Sequence, residues 1–137
     1  MNVDQIMTKD VECCTVLDNV YEAAALMKEH NVGSIPVLDG KKLVGMITDR
    51  DIVIRGVAEK HPGSAKIDTV MSSNVYSVSA DTTVEDALNI MQEHQIRRLP
   101  IVDNEALIGI VSLGDFSIKS NSHQVDETLH EISEQNH

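Results

Sequence analysis

Met7 and Met71 stand 64 residues apart, and the chain repeats itself at that offset without a gap. The offset pairs Val3-Asp4 with Ile67-Asp68, Val20 with Val84, Ala23 with Ala87, Met27 with Met91 and Glu29-His30 with Glu93-His94. It then matches Pro36 with Pro100, Asp39 with Asp103, Leu43 with Leu107, Gly45 with Gly109 and Asp51 with Asp115. A register kept over such a span means two copies of one structural unit, and hence a pseudo-twofold molecule. One copy, at about fifty residues, buries too little surface to be comfortably stable alone, so the two are expected to pack sheet to sheet. We place copy one at residues 1–58, a joining stretch at 59–65, copy two at 66–118 and a polar tail at 119–137.

Pattern and punctuation predict the same elements in each copy. Val20, Ala23, Ala24 and Met27 fall at i, i+3, i+4 and i+7, the stripe of an amphipathic helix, and Val84, Ala87, Leu88 and Met91 repeat it. Asn19 with Glu22, and Thr83 with Asp86, read as capping pairs at the helix starts, and Asn31-Val32-Gly33 as a stop in the first copy. Ile35 to Leu38, a turn at Asp39-Gly40, and Leu43 to Ile47 predict a hairpin that Leu99–Val102 and Leu107–Val111 repeat. Proline in the first of these strands favours its beginning or an edge. A second helix is expected from Asp49 or Arg50 to about Val57, with its counterpart near Gly114, and a short strand near Val11 to Val16 or Val75 to Ser79. The fold class is therefore α+β, with each copy a small sheet flanked by helices.

Composition narrows the function. With 22 acidic against 11 basic residues the formal charge is −11, a field that repels nucleic acid and anionic membranes. Tyr21, Tyr76 and Phe116 are the only aromatics, too few for a base-stacking platform. No apolar run approaches a membrane span and no secretory signal opens the chain, so a soluble, cytoplasmic protein is expected. The two cysteines, Cys13 and Cys14, are adjacent, a spacing that suits neither a structural disulfide, nor a redox pair, nor a zinc site.

The block Ile35-Pro36-Val37-Leu38-Asp39 followed by Leu43-Val44-Gly45-Met46-Ile47-Thr48-Asp49-Arg50-Asp51 resembles the signature of cystathionine-β-synthase (CBS) domains. Leu99-Pro100-Ile101-Val102-Asp103 and Leu107-Ile108-Gly109-Ile110-Val111-Ser112-Leu113-Gly114-Asp115 fit the same pattern. Asp49-Arg50-Asp51-Ile52 and Gln95-Ile96-Arg97-Arg98-Leu99-Pro100 make the chain similar to the small stand-alone CBS-pair proteins of prokaryotes. The resemblance implies an adenosine-containing ligand in the cleft between repeats and a report of energy or redox state to a partner. It also implies a homodimer, in which pairs associate through their helices.

Thr48-x-x-Asp51 and Ser112-x-x-Asp115 sit where a strand hands over to a helix. There the hydroxyl and carboxylate can cap the helix, or can meet a phosphate and a ribose diol. The resemblance assigns Asp51 and Asp115 to ribose, and Thr48 and Ser112 to phosphate. All four arginines, Arg50, Arg55, Arg97 and Arg98, lie beside these motifs, and arginine is the better fork for phosphate. Symmetry breaks here, with Gly33-Ser34 opposite Arg97-Arg98 and Gly114 opposite Arg50, so the two clefts should differ in ligand preference. Adenine needs an apolar slot with backbone groups at its edge; Ile35-Pro36 and Leu99-Pro100 can wall it. By resemblance, the backbone near Val11 and Val75 completes it.

His30 and His94 occupy equivalent helix ends, which the helix dipole explains without a metal. His130-Glu131-Ile132-Ser133-Glu134 departs from a zinc-binding HExxH at its last position, and Val125, Leu129 and Ile132 can form one amphipathic stripe in the tail. No nucleophile–base pair, P-loop or dinucleotide fingerprint is present, so no catalytic activity and no catalytic cofactor are expected. The expected function is adenine-nucleotide sensing on behalf of a separate, unidentified protein. A ligand that touches both repeats favours whichever inter-repeat geometry completes its contacts. AMP is the first choice among AMP, ADP, ATP, NAD(H) and S-adenosylmethionine, because Arg97-Arg98 favours phosphate. The alternative is an interaction or dimerisation module with vestigial clefts.

Overall fold

Asn19 and Thr83 begin the two long helices as their spacing predicts: the Asn19 N–H donates to the Glu22 carboxylate at 3.3 Å, and Thr83 Oγ1 accepts from the Asp86 N–H at 3.1 Å. The chain, described over residues 1–119 in a computed structural model, runs as follows. Copy one contains β1 (Cys14–Thr15), α1 (Val20–His30), β2 (Ser34–Asp39), β3 (Lys42–Thr48) and a short α2 (Asp49–Asp51) that continues as a π-helix, Ile52–Val57. Copy two contains β4 (Val78–Ser79), α3 (Val84–His94), β5 (Arg98–Asp103), β6 (Ala106–Ser112) and α4 (Leu113–Lys119). The tail beyond Lys119, with its HExxH-like run and its Val125, Leu129 and Ile132 stripe, lies outside the described residues. The α+β plan and its duplication are both present.

The long helices end alike, each with a left-handed residue: Asn31 at φ 53° and Gln95 at φ 57°. Asparagine is at home there; glutamine holds the same turn with its side-chain Nε2 donating to the Gln92 carbonyl at 2.7 Å. The hairpins also match. β2 pairs antiparallel with β3 and β5 with β6, each with a register shift at the same place, Val37/Leu38 and Ile101/Val102. β1 lies parallel to β2, and β4 to β5.

The packing units do not coincide with the sequence copies. Residues 1–11 fold with residues from Tyr76 onward, and Glu12 to Val75 form the other unit. In the first unit the Val3 N–H donates to the Thr82 carbonyl at 2.9 Å, and Thr8 and Ile110 exchange backbone bonds at 2.8 and 3.0 Å. In the second, Ile67 donates to Asp18 at 3.0 Å, and Ser72 and Met46 exchange bonds at 2.8 and 2.9 Å. These contacts are related by the same 64-residue offset, crossed between copies. Both cores are built that way: Val3 and Ile6 pack with Leu88, Met91, Leu99, Ile101 and Phe116, while Ile67 and Val70 pack with Val20, Ala23, Met27, Ile35 and Ile47.

This crossing explains the prolines. Pro36 and Pro100 stand inside middle strands, opposite Met46 and Ile110. Those two residues direct both backbone groups away from the proline, to Ser72 and Thr8, so no donor is demanded of it by β3 or β6. On its other side β1 begins only at the partner of Val37, and β4 only at the partner of Ile101, one residue past each proline. The prolines therefore sit at local edges within central strands.

The repeated glycines answer to the same segments. A Cβ on Gly109 would lie 2.5 Å from Met7 Sδ and 3.0 Å from the Thr8 carbonyl, and one on Gly45 2.7 Å from Met71 Sδ and 3.0 Å from the Ser72 carbonyl. Gly109→Ala and Gly45→Ala are each expected to cost about 1–3 kcal/mol, because a backbone oxygen as well as a thioether must give way. Urea unfolding followed by circular dichroism reads this directly; a loss under about 0.5 kcal/mol in both variants would contradict the close approach.

Candidate functional site

Each unit places one hydroxyl–carboxylate pair at the junction of a strand with a helix. In the Glu12–Val75 unit, Thr48 ends β3 opposite Ser34, and the Asp49 N–H donates to the Gly33 carbonyl at 2.9 Å. Thr48 Oγ1 accepts from the Asp51 N–H at 3.0 Å, and Asp51 Oδ2 accepts from the Thr48 N–H at 3.1 Å. That is the reciprocal cap the spacing predicts. In the other unit Ser112 ends β6 opposite Arg98, and the Leu113 N–H donates to the Arg97 carbonyl at 3.1 Å. Here Asp115 Oδ2 takes both the Ser112 N–H at 2.8 Å and the Ser112 hydroxyl at 3.2 Å.

The surroundings differ in charge. Beside Ser112 and Asp115 stand exposed Arg97 and half-buried Arg98, with uncharged Leu113 and Gly114 at the head of α4. Beside Thr48 and Asp51 the equivalent positions are Gly33, Ser34, Asp49 and Arg50. The Asp49 carboxylate lies where it would be 3.2 Å from a Cβ on Gly33, so an acidic group fills the space next to the position that Arg97 holds in the other unit. Arg55 offsets part of this: its Nη1 is 4.0 Å from Asp51 Oδ1 and donates to Ser72 Oγ at 3.4 Å.

The other sequence-predicted residues fall in three groups. Ile35, Pro36, Leu99 and Pro100 are all buried, with the Ile35 and Leu99 side chains inside the two cores, where they fix the starts of β2 and β5. Val11 and Val75 are half-buried, and the crossing puts Val75 in the unit of Thr48 and Asp51, and Val11 in that of Ser112 and Asp115. Arg50 is exposed, next to the Asp49 carboxylate that accepts its N–H at 2.8 Å. Sequence reasoning did not single out Thr8 and Ser72, the polar residues that the crossing brings alongside β6 and β3. Their signal was their equivalence at the 64-residue offset, directly after the paired methionines.

The side candidates resolve differently in the two copies. His30 Nε2 faces Glu12 at 3.7 Å, whereas the equivalent pair, His94 and Tyr76, stacks with ring centroids 3.6 Å apart. Neither Cys13 nor Cys14 is in a disulfide; burial first, then Asp18, Glu22 and Cys13, pushes the Cys14 thiol up to about 11, which keeps it protonated near neutrality. Among the described residues no three His, Cys, Asp or Glu side chains converge to hold a metal, and no helix is long and apolar enough to cross a membrane.

Two copies of a strand–strand–helix unit, each ending in a hydroxyl–x–x–aspartate junction, define a tandem CBS pair. The CBS domain profile matches residues 3–56 and 67–119, and the chain belongs to that family. Protein YlbB of Bacillus subtilis (strain 168) is 48% identical over 135 residues, covering 96% of this chain and 91% of its own. The crystal structure of Hypoxic Response Protein I, which holds two coordinated zinc ions, superposes with a TM-score of 0.81 at 35% identity over 88% of this chain and all of the other. The CBS domain pair of protein MJ0100, in complex with 5′-methylthioadenosine and S-adenosyl-L-methionine, superposes with a TM-score of 0.75 at 29% identity, covering 86% of this chain and 94% of that one.

Proposed function

We propose that this protein is a non-enzymatic sensor of adenosine-containing ligands that acts as a homodimer and signals to a separate protein according to whether its sites are filled. The observation that carries the reading is the duplicated junction, in which an aspartate accepts from the strand end through one oxygen, Oδ2, in both units. A carboxylate has acceptor sites on both oxygens, so the remaining oxygen suits the vicinal hydroxyls of a ribose. The adenosine ligands bound to the MJ0100 pair support the same class here.

The arginine pair refines the ligand. Arg97 and Arg98 make the Asp115 site the one for a phosphate-bearing nucleotide, with AMP the first choice, while Asp49 makes the Asp51 site less hospitable to an anion. The test is calorimetric titration of the protein with AMP, ADP, ATP, NAD and S-adenosylmethionine, cross-checked by thermal shift. At about a hundredfold excess over Kd, a ligand stabilises by about 2.7 kcal/mol. No heat and no shift with any of the five would overturn the sensor reading and leave an interaction module with vestigial sites. Replacing Arg97 and Arg98 by alanine together is expected to weaken AMP binding about tenfold or more and adenosine binding hardly at all, since the lost hydrogen bonds are charge-assisted and go to phosphate. Equal losses for AMP and adenosine would count against the phosphate assignment.

A further inference from the structure

Of the six methionines, Met7 and Met71 combine a side chain that solvent can reach with a contact that holds the fold together. Met27 and Met91 are enclosed in the two cores, 8% and 0% exposed, and Met1 is 63% exposed at the chain end. Met7 and Met71 are half-buried, each packed against the core of its own unit. Each lays its sulfur against a strand glycine, Gly109 of β6 or Gly45 of β3, where an unbranched, apolar thioether fits the gap. The next residue along, Thr8 or Ser72, makes the pair of backbone bonds that ties the crossing segment to the same strand, through Ile110 or Met46. Sulfur packing and backbone pairing are thus neighbours in one seam, and the seam is present twice. In the Glu12–Val75 unit it reaches the candidate site, since Ser72 Oγ accepts from Arg55 Nη1 beside Asp51.

We propose that Met7 and Met71 are sites of reversible oxidative modification, at which a peroxide converts the thioether to the sulfoxide and so loosens residues 1–11 from β6 and residues 67–75 from β3. The proposal stands apart from the ligand reading above. A sulfur lone pair attacks the outer oxygen of the peroxide, and the S–O bond forms as the O–O bond breaks. The proton on the attacked oxygen passes to the departing oxygen, which leaves as water from hydrogen peroxide or as an alcohol from an organic peroxide. The thioether gives up two electrons and the peroxide takes them. The product carries a polar oxygen where the side chain was apolar. It must either press that oxygen towards the glycine backbone or turn the sulfur to water and forfeit the packing, and both outcomes strain the backbone bonds one residue away. Reductases specific for the two sulfoxide epimers return the thioether, so the loosening can be undone.

The test treats the full-length chain with hydrogen peroxide, then with dithiothreitol to return the cysteines to thiols, and reads each methionine by peptide mass spectrometry. Met7 and Met71 are expected to oxidise at least about tenfold faster than Met27 and Met91, and the melting temperature to fall by about 4 °C or more. A full-length variant carrying Met7→Leu and Met71→Leu, swaps that nearly conserve volume, is expected to fold and to lose less than about 1 °C under the same treatment. Met1, Met46 and both cysteines are common to the two chains, so their oxidation cancels in the comparison. Should the variant not fold, amide exchange on the natural chain serves in its place: the Thr8, Ile110, Ser72 and Met46 amides are expected to exchange at least about tenfold faster after oxidation. Treatment with sulfoxide reductases of both epimer specificities is expected to restore the melting temperature. Rates at Met7 and Met71 no greater than at Met27 and Met91 would overturn the proposal, as would an equal fall in both chains or amides as well protected after oxidation as before. A fall that the reductases do not reverse overturns it too, since the change would then be damage.

Discussion

Phe116→Ala is expected to lower stability by about 3–5 kcal/mol, a large fraction of the 5–15 kcal/mol that holds a typical domain together. Phe116 is the largest fully buried side chain, enclosed by residues from every part of its unit: Val3 and Ile6 from the N-terminal segment, Leu88 and Met91 from α3, Leu99 from β5. Truncation forfeits the transfer of the ring from water and leaves a void that these elements can collapse into only in part, since each is fixed by its own backbone bonds. The effect reaches the site, because Phe116 is the anchor of α4 and follows Asp115 directly. The equivalent residue of the other unit, Ile52, is only partly buried, and Ile52→Ala is expected to cost less than about 2 kcal/mol. Urea unfolding of both variants checks the pair. A Phe116→Ala cost under about 1 kcal/mol would mean that α4 is not held as described.

Much of this architecture is legible in the sequence because it is local. The stripe Val84, Ala87, Leu88, Met91 names the buried face of α3 residue for residue, and Thr83 with Asp86 names its cap. Thr48 with Asp51 likewise predicts its own reciprocal hydrogen bonds. The crossing of residues 1–11 and 67–75 is not local. The 64-residue offset says that Val3 and Ile67 do the same job, yet nothing in it says whose core each one enters, since either core offers the same slot. Gly45 with Met71 and Gly109 with Met7 settle it, and a glycine read along the chain does not announce a methionine more than twenty or a hundred residues away. The prolines depend on the same crossing. Pro36 reads as a strand beginning or an edge, and it is a local edge because Ser72 takes the backbone groups of Met46. The π-helix Ile52–Val57 carries no sequence signal that separates it from an α-helix. At the site, the hydroxyl–x–x–aspartate pairs are readable as motifs, while Ser72 beside Arg55 and Asp49 beside Gly33 depend on the folded chain.

Asp115→Ala is expected to weaken binding of a phosphate-bearing adenosine ligand by roughly 10- to 150-fold, the worth of a charge-assisted hydrogen bond of about 1.5–3 kcal/mol to the ribose. The structural cost is smaller. The carboxylate also accepts from the Ser112 N–H and hydroxyl, and losing a cap of this kind costs about 0.5–2 kcal/mol, which leaves the variant folded. The two losses can be told apart with a ligand that lacks the ribose hydroxyls. If Asp115 serves the diol, a 2′,3′-dideoxy nucleotide binds the natural chain about as weakly as the full nucleotide binds the variant, and removing both partners costs no more than removing one. If Asp115 only caps α4, the dideoxy ligand and the variant weaken binding independently and their effects add. Removing a carboxylate beside Arg97 and Arg98 also makes the site more positive, which favours phosphate, so any weakening measured understates the contact with ribose. Asp51→Ala is the matched experiment in the other unit. There Arg55 loses its carboxylate at 4.0 Å and Asp49 remains, so phosphate-bearing ligands are expected to change less and uncharged adenosine more. Equal responses of AMP and adenosine at both sites would erase the difference in charge between the units as a basis for selectivity, and an unchanged Kd in both variants would remove the aspartates from the binding site altogether.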